Sequence, residues 1–203
     1  MNLCDERSSS LDDVLYIDTM FFFFALLLLL GSIPTGLIVS FLFYDTDPRE
    51  QGSGNIGMTN VWRILGATAG LATLCGDLGK GMLGTWLAAS LLEPSYLGWA
   101  ASCLVLGHCY SAFLCFSGGK GVATAGGALL LLDPWTFVVA TVVWVVVKVV
   151  ARKSSLSALT SALLLPIISY RTIPQYFWPV VAIVVLIVWR HKSNISRLRA
   201  GGE

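Results

Sequence analysis

Charged side chains are scarce in this sequence. Only 12% of its 203 residues are Asp, Glu, Lys or Arg, whereas 56% are hydrophobic, and the mean hydropathy is +0.76. A soluble domain has roughly a quarter charged residues. The shortage therefore excludes an ordinary soluble domain and indicates an integral membrane protein. The net charge of +1 also gives no electrostatic reason to expect a nucleic-acid partner.

Metal-site and disulfide patterns are also missing. The five cysteines show no CxxC spacing, and four of them lie in apolar runs, where a free cysteine behaves as a small hydrophobe. We therefore expect no metal and no cofactor. The N-terminus is acidic, and the first apolar run is longer than the roughly 7–15 residues of a signal-peptide core. That run is predicted to remain as a membrane helix.

Apolar segments divide the chain into about seven candidate helices. Because about 20 residues cross the ~30 Å hydrocarbon core, segment 122–132 is too short to span it and 155–170 is marginal. We predict an all-α polytopic membrane protein with spanning and partly spanning helices. Residues 1–19 are predicted to form an acidic extension and 20–203 a single domain. The candidate helices are 20–44, 71–92, 96–116, 122–132, 134–151, 155–170 and 174–189.

Two glycine-rich segments carry much of the polar chemistry. The first runs from Gly52 to Arg63 and the second from Gly118 to Thr124. Glycine lets the backbone approach a ligand closely, short polar side chains donate hydrogen bonds, and arginine offers a bidentate fork. One such loop is as often a plain turn, but two in a membrane protein favour an anion site. Because glycine follows Lys120, the nucleotide-binding P-loop pattern is absent.

The positions of Lys and Arg between the apolar segments predict the orientation, because positively charged loops favour the cytoplasmic side. The acidic N-terminus is expected outside. Counting seven helices then places both glycine-rich loops, Ser155 and His191 at the cytoplasmic face, and Arg171 is the one position that breaks the charge pattern. The site and the C-terminus are therefore predicted to lie in the cytoplasm.

Three ionisable residues inside apolar segments leave two interpretations open. Asp77 and Lys80 lie three residues apart and so share one helix face. They either neutralise each other as a structural pair or turn toward a polar interior. His108, ahead of the second loop, is either a ligand contact or a histidine satisfied by a neighbouring helix.

Four blocks of residues follow one another along the chain. The blocks are Ser53-Gly54-Asn55 to Arg63, Gly107-His108 to Thr124, Ser155-Leu156-Ser157, and Arg190-His191 to Leu198. In this order they resemble the bacterial acyl-phosphate:glycerol-3-phosphate acyltransferases of the PlsY type, which are multispanning membrane enzymes. The chain departs from that family at Met58, where alanine is usual, at Ser111, where proline is general, and at Ser117, where a basic residue is frequent.

The resemblance implies a reaction and a location. An acyl group would pass from acyl phosphate to the 1-hydroxyl of glycerol-3-phosphate, giving lysophosphatidic acid and phosphate in phospholipid biosynthesis. Because acyl phosphate is already activated, alignment and charge stabilisation can supply most of the rate without a covalent intermediate. The implied partners are these two substrates and membrane lipid, with no nucleic acid and no obligatory protein partner. The implied location is the bacterial inner membrane.

The resemblance also implies site residues in all four blocks. Arg63 and Lys120 are expected to bind the two phosphates, the amides of the second loop to contact phosphate or oxyanion, and His191 to bind substrate or act as general base. The expected catalytic residues are Ser53, Arg63, Lys120, Ser155 and His191, and the expected substrate-binding residues are Gly54, Asn55, Thr59, Asn60, His108, Gly118, Gly119, Gly121, Thr124 and Asn194.

A small transporter of phosphate-bearing or acidic solutes is the alternative. It would use the glycine-rich loops as an anion vestibule, and it predicts polar sites near the membrane midplane and two repeated halves. The polar groups of this sequence instead cluster toward one predicted face, and its halves show no evident repeat. A structural scaffold would leave Arg63 and Lys120 without a task.

Overall fold

The computed structural model describes the backbone of residues 3–200 and the side chains from residue 18 to 200. All regular elements in that part of the chain are helical, as the sequence predicts. Short 3-10 helices lie at Pro94–Tyr96, Ala112–Leu114 and Pro174–Tyr176. The α-helices are α1 (Leu3–Ser32), α2 (Thr35–Tyr44), α3 (Met58–Leu65), α4 (Ala67–Leu91), α5 (Leu97–Cys109), α6 (Val122–Leu132), α7 (Pro134–Ala151), α8 (Ser154–Thr172), α9 (Phe177–Arg190) and α10 (Lys192–Arg199).

The first apolar segment is two helices, so the prediction of one helix over 20–44 is wrong. α1 ends at Ser32 and α2 begins at Thr35 because Pro34 has no amide hydrogen to continue the helical ladder. The backbone from Leu3 onward already belongs to α1. The predicted acidic extension, residues 1–19, lies mostly outside the residues whose side chains are described. Its separation from the domain that follows stays a prediction.

Three helical stretches in the described chain are long and apolar enough to cross a bilayer. They are Asp18–Tyr44, Pro94–Leu114 and Pro134–Ala151. Helix α6 has 11 residues, about 16 Å, and is short, as expected for segment 122–132. Helix α8 has 19 residues and is longer than its apolar run alone indicates.

Large apolar side chains cover the outside of the bundle. Helix α7 shows this most clearly, because Thr136 is its one fully buried residue. Val149 and Val150 on the same helix are 70% and 79% exposed. An apolar surface of this extent is typical of helices that face lipid.

Glycine allows helices α1, α4, α5 and α6 to touch backbone to backbone. A Cβ atom at Gly81 would lie 2.2 Å from the carbonyl oxygen of Thr124, and one at Gly107 would lie 2.1 Å from that of Leu28. Such close approach is typical of membrane helix packing. The contacts hold α5 and α6 firmly, and these two helices carry the ends of the second glycine-rich loop.

Candidate active site

The two glycine-rich loops and the C-terminal segment meet at one end of the bundle, around a cavity of about 280 Å³. The lining includes four cationic side chains and no Asp or Glu, so the cavity is suited to an anion. Its walls are Ser53, Gly54 and Asn55 from the first loop, Tyr110, Ser117, Gly118 and Lys120 from the second, and Trp189, Arg190, Lys192, Ser193, Asn194 and Arg197 from the C-terminal segment.

Lys120 and Asn194 join the second loop to α10. Lys120 Nζ donates a hydrogen bond to Asn194 Oδ1 over 2.5 Å, although 74 residues separate them in sequence. Asn194 is buried and Lys120 is half-buried. Both were predicted as site residues, and the structure brings them together at the cavity.

Asn60 gives the first loop its shape. Its Oδ1 accepts from the amide of Ser53 over 2.8 Å, and its Nδ2 donates to the carbonyls of Pro48 and Asn55, both over 2.9 Å. Both ends of the amide are therefore engaged within the loop. Gly54 follows with a φ of 68°, in the left-handed region that favours glycine. Asn60 thus sets where Ser53 and Gly54 enter the cavity wall, while its own contact with substrate stays a prediction.

The amides of Gly118 and Gly119 point into the protein. They donate to the carbonyls of Cys109 over 3.2 Å and His108 over 3.0 Å, at the C-terminal end of α5. The expectation that these two amides bind phosphate is therefore wrong, because their hydrogens are already used. The loop contributes the Lys120 side chain to the cavity instead.

Arg190 is a structural cation that the sequence analysis did not assign. Its Nε donates to the Gly119 carbonyl over 3.0 Å and its Nη2 to the Gly118 carbonyl over 2.6 Å, and its guanidinium lies 5.1 Å from the centre of the Tyr110 ring. Its place beside His191 in the fourth block was the available signal. Lys192 and Arg197 also line the cavity and were not assigned, although both lie within the fourth block.

Comparison with known proteins identifies the family. The model of the family described as glycerol-3-phosphate acyltransferase matches residues 21–201. The chain belongs to this acyltransferase family. A glycerol-3-phosphate acyltransferase of Methylobacillus flagellatus is 46% identical over 178 residues, which cover 86% of this chain and 91% of that protein. One of Pseudomonas entomophila is 43% identical over 187 residues, covering 91% and 98%.

Solved structures of the family share the fold. The crystal structure of PlsY (YgiH), an integral membrane glycerol 3-phosphate acyltransferase, in its glycerol 3-phosphate form matches with a TM-score of 0.85 at 32% identity, over 91% of this chain and 94% of that chain. Its lysophosphatidic acid form matches with a TM-score of 0.83 at 31% identity, over the same shares. The resemblance to the PlsY type is confirmed, and this acyltransferase is an integral membrane protein.

Two predicted residues of the acyltransferase lie away from the cavity wall. Arg63 and Thr59 are exposed on α3, and neither belongs to the residues that line the cavity. Arg63 is on the last turn of α3, and the exposed loop that contains Ser53 and Gly54 precedes this helix. Their roles toward substrate stay predictions.

Other predicted residues are buried behind the wall. His191 is 2% exposed, and its Nδ1 lies 2.7 Å from the Ile187 carbonyl. Ser155 lies in the first turn of α8, which contacts α10, and Thr124 lies on α6 with its Oγ1 buried and without a hydrogen-bond partner in the described chain. Gly121 immediately precedes α6 and has a φ of 81°. None of these four residues is among those that line the cavity, and their contact with substrate stays a prediction.

Two departures from the family pattern have visible consequences. Ser111 is buried, and its Oγ donates to the carbonyl of Ser32 at the end of α1 over 2.5 Å. A proline in that position could not make this bond. Ser117 lies in the cavity wall, where a basic residue would add a further positive charge.

An ion pair stabilises the entry to the first loop. Arg49 donates to Asp47 from Nε over 2.9 Å and from Nη2 over 2.5 Å. These hydrogen bonds lower the pKa of the Asp47 carboxyl below its usual value.

Among residues 18–200, no group of three or more His, Cys, Asp and Glu side chains is arranged to hold a metal ion.

Proposed function

We propose that this glycerol-3-phosphate acyltransferase takes its acyl group from an acyl phosphate and produces lysophosphatidic acid and inorganic phosphate. The observation that supports it is the small cationic cavity, which Lys120, Arg197 and Ser53 line together and whose wall contains no carboxylate. At about 280 Å³ the cavity is near the lower end of the ~300–1,000 Å³ of ligand pockets. Such a space suits compact phosphate groups better than a nucleotide-bearing carrier.

The proposed reaction is a direct displacement. The 1-hydroxyl oxygen of glycerol-3-phosphate attacks the acyl carbon, the bond from that carbon to the phosphate oxygen breaks, and the phosphate leaves with the electron pair. The hydroxyl proton passes to the departing phosphate or to His191. Lys120 stabilises negative charge on the phosphate, and positioning of the two anions lowers the remaining barrier.

His191 is buried next to the Ile187 carbonyl, and this contact decides which of its ring nitrogens carries the proton. A backbone carbonyl only accepts, so the 2.7 Å contact with Ile187 requires the proton on Nδ1. The neutral ring then has Nε2 as its accepting nitrogen. We assign to it the binding of the 1-hydroxyl, because an activated anhydride has little need of a strong base.

The proposed location is the bacterial inner membrane, with the N-terminus outside and the cavity on the cytoplasmic side. Lys192 and Arg197 lie beside the cavity on α10, and positive charge favours the cytoplasmic face. Both proposed substrates would then reach the cavity from the cytoplasm. The transporter alternative is less well supported, because the four cationic groups of the cavity lie just before α6, at the end of α9 and on α10, and not midway along the long helices.

The test is acyl transfer by the purified protein in detergent. We expect phosphate release and lysophosphatidic acid formation with acyl phosphate and glycerol-3-phosphate, and little product with acyl-CoA. Arg197→Ala should reduce the turnover, whereas Arg199→Ala, on the same helix but outside the cavity, should not. Equal turnover with acyl-CoA would contradict the proposed donor.

A further inference from the structure

A cluster of buried ionisable side chains lies inside the bundle, behind the second glycine-rich loop. Asp77 and Lys80 on α4 and His108 on α5 are each at most 6% exposed. Lys80 Nζ lies 3.0 Å from Asp77 Oδ1, and His108 Nδ1 lies 3.4 Å from the same oxygen. Charges at this depth require partners, and here they partner one another. None of the three lines the cavity.

One side of the cluster contacts the break between α1 and α2. Lys80 Nζ donates to the carbonyl of Ile33 over 2.7 Å, and the Thr35 hydroxyl donates to the Asp77 carboxylate. Ile33 and Thr35 flank Pro34, which interrupts the helical ladder. The carbonyl left without a helical partner at the break is thus satisfied by Lys80, and the cluster is fixed to three helices.

The other side of the cluster contacts the loop. The backbone carbonyl of His108 accepts a hydrogen bond from the amide of Gly119, and the imidazole ring of His108 lies against the same glycine. A Cβ atom at Gly119 would come within 2.1 Å of His108 Nε2 and 2.8 Å of Cε1. No side chain fits there without displacing the ring or the loop. The next residue is Lys120, which reaches Asn194 in the cavity.

We propose that His108 is a positioning residue: its imidazole, which lies between Asp77 and Gly119, sets the place of Gly119 and thereby of the Lys120 ammonium. His108 touches no substrate in this arrangement. Glycine is required at 119 because the imidazole occupies the space of a side chain. The inference rests on the proposed function insofar as Lys120 binds a phosphate of the reaction.

The competing explanation is that Gly119 lets a phosphate approach the backbone. The two explanations can be distinguished by a size exchange, in which the side chain at 119 is enlarged and the one at 108 is made smaller. Gly119→Ala should push the loop away from the imidazole and lower kcat/KM about ten- to a hundredfold, because a displacement near 1 Å is costly in catalysis. His108→Ala alone should raise the KM for glycerol-3-phosphate more than it lowers kcat.

The two explanations predict opposite results for the double variant. With the ring removed, the alanine methyl at 119 has room, so His108→Ala combined with Gly119→Ala should be several-fold more active than Gly119→Ala alone. If Gly119 served ligand approach, the two losses would multiply and the double variant would be the worst of the three. That result, or wild-type kinetics for His108→Ala, would overturn the proposal.

Gly118→Ala supplies the matched control. Its Cβ would lie 2.1 Å from the His108 carbonyl oxygen, which is backbone and remains after His108→Ala. The histidine change should therefore not rescue Gly118→Ala, and equal rescue of both glycine variants would refute a contact specific to the imidazole.

Thermal unfolding in detergent gives a readout independent of the acyl donor. The clash should lower the Tm of Gly119→Ala, and removal of the ring should recover part of the loss. If the wild-type protein uses a donor other than acyl phosphate, the proposed function fails, but the effect of the size exchange on Tm can still be measured.

If His108→Ala does not fold, His108→Asn replaces it in both measurements, because asparagine is smaller and keeps a polar group toward Asp77. Absence of rescue by His108→Asn would then overturn the proposal.

Discussion

Lys120 and Arg190 both line the cavity, but they have different neighbours. Lys120 Nζ reaches a side-chain oxygen on α10, whereas Arg190 donates to two backbone carbonyls of the second loop. An ammonium held by a neutral amide keeps its net positive charge for an anion. A guanidinium that spans two carbonyls mainly fixes the loop. Arg190 is therefore a structural cation of the cavity, whereas Lys120 is the one for which ligand binding is predicted.

Loss of the Lys120 charge should weaken catalysis without unfolding the protein. Lys120→Ala removes a charge-assisted phosphate contact of roughly 1.5–3 kcal/mol, which corresponds to a loss of about ten- to a hundredfold in kcat/KM. The measurement is steady-state kinetics with glycerol-3-phosphate varied, beside thermal unfolding. Arg199→Ala is the control for a general loss of positive charge. Kinetics close to wild type would contradict a role in phosphate binding.

Arg63 provides a sharper test of the sequence-based assignment, because it is exposed on α3 and outside the cavity wall. Lysine keeps the charge but lacks the planar fork of arginine. We expect Arg63→Lys to remain substantially impaired in kcat/KM, as a bidentate phosphate contact requires. Activity near wild type in both Arg63→Lys and Arg63→Ala would show that this arginine serves only membrane orientation.

The sequence predicted the residue types of the site better than their contacts. Lys120 and Asn194 could be assigned because their motifs are specific, and the structure places them together. The engagement of the Gly118 and Gly119 amides could not be foreseen, since it depends on how α5 ends. The role of Arg190 likewise depends on a contact across 71 residues. Such contacts follow from helix packing, which a single sequence does not specify.

At the scale of elements, hydropathy located the membrane helices but not their breaks. Segment 20–44 is apolar throughout, so its composition favoured one helix, although Pro34 was a visible signal for interruption. Helix α10 was missed because its eight residues include three basic side chains and few apolar ones. Both errors have the same cause: hydropathy reports burial in lipid and does not report backbone continuity.

Asp133 should make the stability of the first turn of α7 depend on pH. Its Oδ1 accepts from the amide of Trp135 over 3.2 Å and its Oδ2 from the hydroxyl of Thr136 over 2.5 Å. Burial raises the pKa of Asp133, but the hydrogen bonds from Thr136, Thr172 and the backbone outweigh it, and the net shift is downward from 3.8. A lowered folded pKa means that the stabilisation is present above the unfolded pKa and is lost as the pH falls through the folded value.

The expected result follows from that sign. Asp133→Ala should cost about 0.5–2 kcal/mol at neutral pH, the usual range for loss of an N-cap. The difference in Tm between wild type and variant should shrink as the pH falls below about 4. Thermal unfolding in detergent between pH 3 and 7 measures both effects. A difference that stays constant over this range would contradict the assignment of a charged cap.

At the scale of the whole molecule, the cavity is lined by residues from three segments that are far apart in the sequence. Ser53 and Arg197 lie 144 residues apart in sequence and line the same space. The pattern of Lys and Arg predicted that these segments share a face, and the structure brings them together as expected. The side of the membrane on which they lie remains a prediction from the charge pattern.

The orientation can be tested with a cysteine that the chain already contains. Cys115 is exposed just before the second loop. Cys75 is exposed as well, whereas Cys109 is buried and Cys103 is half-buried. A variant that retains Cys115 alone should react with a membrane-impermeant maleimide in inside-out vesicles and not in intact spheroplasts. Ser193→Cys on α10, introduced into a chain without other cysteines, should react from the same side. Glu93→Cys, in the connection between α4 and α5, should react from the opposite side. Ser193 lines the cavity, and Cys115 lies two residues before Ser117, which also lines it. Labelling on opposite faces would therefore contradict the shared site itself, while labelling of both from outside would reverse the orientation alone.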